Sequence, residues 1–253
     1  MKGIVLAGGM GTRLLPLTLT SNKHLLPVGD EPMIFHPIRL LVSAGITEIQ
    51  IVTGGNSPGD FLQLFADCAD RFGSDVQVSF VYQQGSGGIP AAMRCARTFA
   101  GDASVCVVLG DNIFEVTPQI TQHIQTFTSG CRLLLASVPD LTRFGVVDVD
   151  LPSREVRDII EKPKSHMITP YMRAITGLYC FDSRVWEKVD TLRPSSRGEL
   201  EVVDLHRSYH ADAQLSFSLH HGWWTDAGTH DSLFRANLLI RGYHDTIPRS
   251  TTP

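Results

Sequence analysis

Ile4-Val5-Leu6-Ala7-Gly8-Gly9-Met10-Gly11-Thr12-Arg13-Leu14 reads as a buried strand that runs straight into a glycine-rich turn. Loss of Cβ at three positions lets backbone N–H groups close on an anion, so a phosphate-bearing ligand is a natural occupant. Taken alone, a tight strand-to-helix turn is an equally good reading. Two familiar phosphate loops are excluded, because the dinucleotide fingerprint needs a glycine where Leu14 stands and the Walker loop needs Gly-Lys-Ser/Thr at its end. Arg13 and Lys23 flank Pro16, and Leu25-Leu26-Pro27 follow. Two cations so close to a glycine turn can hold the separated charges of a triphosphate tail.

Working outward, short β-rich runs alternate with segments of helical period through the first half, the pattern of a mostly parallel sheet with helices on its faces. Strands are expected over 4–7, 49–53, 76–82 and 104–109. Helices are expected over 33–44, with Pro32 in the first turn, Pro37 a local irregularity and Gly45 the terminator. Asp60, Phe61, Leu64, Phe65 and Cys68 fall at helical spacing, and a further helix is expected over 89–99. Beyond Leu133 the rhythm changes to strand candidates over 133–137, 146–149, 156–160 and 175–181. Helices return over 199–210 and 230–241, separated by the apolar and aromatic stretch 215–224. No internal repeat or long linker divides the chain, which favours one domain.

The 253 residues, 43% hydrophobic and 19% charged, can bury a sizeable core, and no run of about 18 apolar residues is present to cross a bilayer. The N-terminal apolar run breaks at Gly8 and soon meets Arg13, so it lacks the apolar core of about 7 to 15 residues of a secretory signal. With 22 basic and 26 acidic residues the formal charge is −4, which disfavours nucleic acid as a partner. Cys68, Cys95, Cys106, Cys131 and Cys180 form no CxxC pair and read as buried thiols of a reducing cytoplasm.

The segment Gly9-x-Gly11-Thr12-Arg13-Leu14-x-Pro16-Leu17-Thr18, followed by Lys23-x-Leu25-Leu26-Pro27-Val28 and Pro32-Met33-Ile34, resembles the signature of sugar-1-phosphate nucleotidyltransferases. Within that group it looks most like the glucose-1-phosphate thymidylyltransferases. Further matches follow in the family's order: Leu109-Gly110-Asp111-Asn112, Phe144-Gly145-Val146-Val147, Glu161-Lys162-Pro163, Thr176-Gly177-Leu178-Tyr179, Arg197-Gly198-Glu199-Leu200-Glu201 and Trp224-Thr225-Asp226-Ala227-Gly228-Thr229.

The resemblance implies an α/β, single-domain Rossmann-like nucleotidyltransferase fold over 1–242, with a mixed, mostly parallel central sheet flanked by helices and a loose tail over 243–253. It also implies a cytoplasmic homo-oligomer without a membrane anchor. Longer relatives carry extra C-terminal helices linked to subunit contacts and a regulatory nucleotide site, so this chain resembles a short form.

The implied reaction is attack by a sugar-1-phosphate oxygen on the α-phosphorus of a nucleoside triphosphate, dTTP or alternatively UTP, with release of pyrophosphate. Such chemistry needs alignment and positive charge more than covalent help. By resemblance Arg13 and Lys23 lie on the pyrophosphate side and Lys162 clamps the sugar phosphate. Mg²⁺ suits the task because it binds one or two carboxylates plus phosphate oxygens. Asp111 and Asp226 are its candidates, Asp111 at a strand's carboxyl end where α/β sheets gather ligands. A turn cap is the alternative for Asp111, which the ordered motifs outweigh, and a helix N-cap is an equal alternative for Asp226.

Leu6, Gly8, Gly9, Gly11 and Thr12 belong to the nucleotide loop, while Gln83 and Gly88 are placed to read the base through an amide and a bare backbone. Gly145, Glu161, Ile175 and Tyr179 are the sugar candidates, with Arg197 near the sugar phosphate or, equally, in a surface ion pair. Ile89 is followed by Pro90-Ala91 where the family usually has Ala-Gln, which leaves open which nucleotide and which sugar or cyclitol phosphate is used. A catalytically silent nucleotide-sugar-binding subunit is the rival function. Retention of Arg13, Lys23, Asp111, Lys162 and Asp226 speaks against it.

Two other motifs carry no function. Gly55-Asn56-Ser57-Pro58-Gly59 matches a nucleophile elbow, but Pro58 has no N–H for the oxyanion hole and instead suits a helix's first turn capped by Ser57. His206 and His210 stand four apart, but Arg207 holds the place of a zincin's Glu, so both read as helix-surface histidines. Trp223 and Trp224 read as core or subunit packing.

Overall fold

Strand β1 (Lys2–Ala7) is buried along almost its whole length because both of its faces are apolar. Ile4 and Leu6 point into one hydrophobic cluster, Val5 and Ala7 into another, as the two-residue period of a strand requires. A strand buried on both faces belongs at the centre of a sheet covered by helices on either side. The computed structural model describes residues 1–55, 58–66 and 69–243.

After β1 come a small ribbon, β2 (Pro27–Val28) and β3 (Glu31–Pro32), then α1 (Phe35–Ser43), β4 (Glu48–Thr53), α2 (Pro58–Ala66), β5 (Gln77–Tyr82), α3 (Ile89–Cys95), α4 (Arg97–Ala100) and β6 (Val105–Leu109). The second half holds β7 (Asn112–Phe114), α5 (Pro118–Gln125), β8 (Cys131–Ala136), β9 (Gly145–Asp150), β10 (Glu155–Glu161), β11 (Met172–Phe181), α6 (Val185–Thr191), α7 (Val202–Ala211), β12 (Leu215–His220), β13 (Trp224–Asp226) and α8 (His230–Ile240). Nine strands form one sheet with the path β10-β9-β11-β6-β1-β4-β5, and β8 and β12 extend from β11. Following the pairings, β1, β4, β5, β6, β8, β9 and β12 run one way and β10 and β11 the other, so the sheet is mixed and mostly parallel.

Two features of this sheet make room for a ligand. The chain goes from β1 to β4 and β5 on one side and returns to β6 on the other, so a crevice opens at the carboxyl ends of β1 and β6. Strand β11 is long enough to hold three partners. Ala174 pairs with both β8 and β9, and Tyr179 with both β8 and β6, so β9 and β6 share one edge and part company between them. Gly177 lies in that fork.

Several expectations are corrected. Pro32 pairs with Pro27 in the ribbon, and α1 begins at Phe35. Pro37 sits in the first turn of α1, where its missing N–H has no intrahelical partner to lose. Gly45, at φ 85°, ends the helix as expected. The helix expected over 89–99 breaks at Ala96 into α3 and α4. Helices α5 and α6 and the β7–β13 ribbon are too short to have shown a period. Ser57 and Cys68 lie outside the described residues.

His206 is not on the helix surface. It is fully buried among Tyr179 and Phe181, with ring centroids at 5.0 and 6.1 Å, and neither of its ring nitrogens has a hydrogen-bond partner. Burial lowers its pKa to about 3. The unfolded chain therefore takes up a proton near pH 6.5 that the folded chain refuses until about pH 3, and stability falls as pH drops through that window. His206→Leu should raise the urea midpoint. It should also reduce the stability lost between pH 7.5 and pH 5 by about 1–2 kcal/mol. An unchanged pH slope would show that His206 carries its proton when folded.

Candidate active site

The glycine turn after β1 is held open by its neighbours. A Cβ on Gly8 would lie 2.7 Å from Gln83 Oε1, and one on Gly9 would lie 3.2 Å from Lys23 Cε, so both side chains close over bare backbone. Gly88, which precedes α3, has φ 84°, and a Cβ there would stand 2.1 Å from the Leu200 carbonyl oxygen. Leu200 N–H in turn donates to the Gly87 carbonyl at 2.9 Å. The Arg-Gly-Glu-Leu-Glu segment thus ties down the loop opposite Gln83.

These elements enclose a cavity of about 710 Å³ whose walls include Leu6, Gly8, Gly9, Gln83, Gly88 and Lys23. Gly11 and Thr12 are not among its walls. Gly11 instead opens a short 3-10 turn, and its carbonyl accepts from Thr18 Oγ1 at 2.9 Å, which shapes the loop. A second cavity, of about 530 Å³, lies over the β11 fork, with Gly145, Glu161, Lys162, Ile175, Tyr179 and Asp226 in its walls, and Arg13 as well. Asp111 lines both cavities, with Leu109 and Ile89.

Asp111 follows β6, and its side chain is fixed by two partners. Its carboxylate forms an ion pair with Lys23 and accepts from Asn112 Nδ2 at 2.9 Å. Burial pushes its pKa up, but the Lys23 charge and these hydrogen bonds push it down further, so it stays well below the usual carboxylate range. His24, beside it, is buried, and desolvation and the Lys23 charge lower its pKa to about 3. A neutral His24 leaves Lys23 as the cation that Asp111 faces near pH 7. Asn112 is itself held by the second ribbon and the fork. Its Oδ1 accepts from Trp224 Nε1 at 2.8 Å and from the Gly177 N–H at 3.0 Å.

Asp226, on β13, arrives opposite Asp111 because β13 pairs antiparallel with β7, placing Asp226 across from Asn112. Burial and the Asp111 charge raise its pKa, against the pull of Arg143 and Arg13. Arg143 Nη2 reaches its two oxygens at 3.3 and 3.4 Å. A Cβ on Gly228 would stand 3.5 Å from Asp111 Oδ2, 3.5 Å from Asp226 Oδ2 and 3.1 Å from Arg13 Nη2, so glycine leaves a gap onto which both carboxylates and a guanidinium converge. Two hard oxygen donors around such a gap fit a divalent cation that takes its remaining ligands from phosphates and water.

Beside the second cavity, Lys162 has φ 44°, and its N–H donates to the Phe144 carbonyl at 3.0 Å. Its ammonium lies 3.2 Å from Glu161 Oε1. A Cβ on Gly145 would meet Glu161 Oε2 at 3.2 Å, so Glu161 also closes over bare backbone. Arg197 is at the rim, outside the cavity wall. It grips Glu201 through two contacts of 2.8 and 2.9 Å and reaches Glu161 at 3.8 Å. Sequence reasoning missed Arg143 and His24, which adjoin quoted motifs, and the bracing role of Asn112, which depends on pairing between distant strands.

Asn112 satisfies two buried donors at once. Asn112→Ala should therefore cost about 2–4 kcal/mol in denaturant unfolding, because the Gly177 and Trp224 N–H groups lose their acceptor. A loss below about 0.5 kcal/mol would show that water replaces it.

The family model for the nucleotidyl transferases matches residues 2–242. A glucose-1-phosphate thymidylyltransferase of Neisseria meningitidis is 40% identical over 95% of this chain and 83% of its own length, and one of Xanthomonas campestris is 38% identical over 94% and 80%. Among solved structures, a Bacillus anthracis chain described as a glucose-1-phosphate thymidylyltransferase superposes with TM-score 0.85 at 40% identity, covering 95% of both chains. A UDP-glucose pyrophosphorylase at 20% identity and TM-score 0.83, covering 96% of this chain and 99% of its own, shares the fold. With its paired cavities, its glycine turn and these relatives, the chain is a nucleotidyltransferase and belongs to the nucleotidyl transferase family.

Proposed function

We propose that this enzyme transfers a thymidylyl group from dTTP to glucose-1-phosphate, giving dTDP-glucose and pyrophosphate. The observation that carries this reading is that a cavity over the glycine turn and a cavity over the β11 fork share Asp111 as a wall. The relatives with this name support the choice of substrates.

In this reading Gln83 and the Gly88 backbone read the pyrimidine edge, and the bare Gly8-Gly9 backbone lets the triphosphate approach. Arg13 and Lys23 take the charge of the β- and γ-phosphates. Arg13 is well suited, because among the described residues it has no hydrogen-bond or ion-pair partner and can turn wholly to phosphate. Glu161 and the Gly145 backbone accept and crowd the sugar hydroxyls, with Ile175 and Tyr179 as the wall. Lys162, half exposed and beside Glu161, holds the sugar phosphate, and Arg197 stands at the rim to help it.

The reaction forms a bond between a sugar-phosphate oxygen and the α-phosphorus while the bond to the β-phosphate oxygen breaks, and the electron pair leaves with pyrophosphate. Two anions must meet for this, so the protein's cations supply orientation and screening. A divalent cation held by Asp111 and Asp226 would neutralise charge on the phosphate oxygens when bound.

Mixing protein, dTTP, glucose-1-phosphate and Mg²⁺ should release pyrophosphate. A matrix of dTTP, UTP, CTP, GTP and ATP against several sugar and cyclitol phosphates should give dTTP with glucose-1-phosphate the highest kcat/KM. Higher turnover with another pair would reassign the substrates. Binding without pyrophosphate from any pair would favour a silent nucleotide-sugar-binding subunit. Asp111→Asn should lower turnover at least about 100-fold with the fold intact, since charge stabilisation by one such group is worth about that much. Undiminished turnover would remove Asp111 from the site.

A further inference from the structure

Each of the two carboxylates assigned to the metal already has a cation on it. Lys23 occupies Asp111, and Arg143 Nη2 lies 3.3 Å from Asp226 Oδ2 and 3.4 Å from Oδ1, straddling the oxygens that a metal would use. A small divalent ion binds carboxylate oxygen at about 2.0–2.1 Å, so the two cations compete for the same face of Asp226. Two contacts position Arg143, the Asp226 carboxylate and the Phe144 ring. Its guanidinium lies over the Phe144 ring at 5.5 Å, its side chain is 44% exposed, and among the described residues Asp226 is its one ion-pair partner.

The space around Arg143 is also informative. It lines the second cavity and also a cavity of about 590 Å³ whose walls include Arg13, Trp223, Asp226 and Arg235. Arg143 therefore borders open volume in which its guanidinium can leave Asp226 without disturbing packed core.

We propose that Arg143 is an internal counter-ion that holds the Asp226 carboxylate until a metal–triphosphate complex arrives, so that the divalent site forms only together with the nucleotide. This rests on the reading of Asp111 and Asp226 as the metal carboxylates. In the empty site Lys23 and Arg143 neutralise two acids whose mutual repulsion would otherwise spread them apart. A bare divalent ion must break both pairs and leave two cations close beside it. A triphosphate changes that balance, because its oxygens accept the displaced ammonium and guanidinium while bridging the ion. The exchange moves charges among partners and makes or breaks no covalent bond.

The test is binding of Mn²⁺, followed by the electron paramagnetic resonance of the free ion, with and without α,β-methylene-dTTP, which cannot be cleaved at the α-phosphorus. Wild-type protein should bind Mn²⁺ weakly alone and tightly with the nucleotide. Arg143→Gln should bind Mn²⁺ alone about two- to fivefold more tightly, the scale expected on removing a half-exposed ion pair. Arg143→Lys, which keeps the charge, should stay near wild type. A merely structural Arg143 would leave nucleotide-free affinity unmoved. If Arg143→Gln leaves nucleotide-free affinity unchanged while Asp226→Asn loses the Mn²⁺ held with nucleotide, the counter-ion role is overturned and the metal reading stands. If neither Asp111→Asn nor Asp226→Asn weakens Mn²⁺ held with nucleotide, the metal reading falls and the counter-ion role with it. A thermal midpoint for Arg143→Gln close to wild type checks that the fold is unchanged.

Discussion

The ion pair between Lys23 and Asp111 is the contact on which the arrangement of the site depends. It joins the loop after β1 to the loop after β6, the two parallel strands whose carboxyl ends flank the crevice. Gly110 N–H extends that junction by donating to the Leu6 carbonyl at 2.9 Å, and a Cβ on Gly110 would meet His24 at 2.7 Å. A buried pair of this kind is poor evidence for stability, because desolvating both ions offsets much of their attraction. Its value is positional. With Lys23 drawn over Gly9 and Asp111 drawn to Lys23, the glycine loop and the wall shared by both cavities hold one relative position.

A second tier of contacts keeps Asp111 from following Lys23 wherever the loop goes. Asn112 binds the Asp111 carboxylate, the backbone of β11 at Gly177 and the indole of Trp224 on β13. The two carboxylates proposed to hold a metal are thus carried at one end of a two-stranded ribbon, Asp111 just before β7 and Asp226 on β13. Trp224 is buried against Phe144 with ring centroids 5.1 Å apart, so the ribbon is anchored in the core beneath the residues it presents. The tryptophan pair that reads as packing in sequence thus supplies, in Trp224, a brace for Asn112 and the ribbon.

What could be read from the sequence divides by the range of the interaction. Residues 4–14 showed a buried strand and a bare turn because both are local, and the parallel half of the sheet followed from strand and helix lengths. The β7–β13 ribbon was invisible because it has three residues in each strand and joins positions more than a hundred residues apart. His206 misled for the same reason: an i, i+4 histidine pair on a helix shows no sign of whether the sheet behind it is apolar. Arg143 stands one residue before a quoted motif, yet its role depends on Asp226, which only the folded chain brings near.

The division of labour between sheet and loops bears on specificity. Ile175 and Tyr179, the wall proposed for the sugar, are buried in β11 and cannot move without repacking the core. Three of the cations proposed to meet phosphate are different in kind: Lys162, Arg197 and Arg143 have side chains 47%, 50% and 44% exposed, sit on loops or strand ends, and are already balanced by Glu161, Glu201 and Asp226. Every nucleotidyl transfer to a sugar phosphate presents the same phosphates, so the charged groups can serve many substrate pairs. The sheet-borne wall and the Gln83–Gly88 edge must then separate one pair from another. A net charge of −4 is compatible with a site for two anions because the site's cations need no excess over the whole chain. They need only partners that can be exchanged for phosphate.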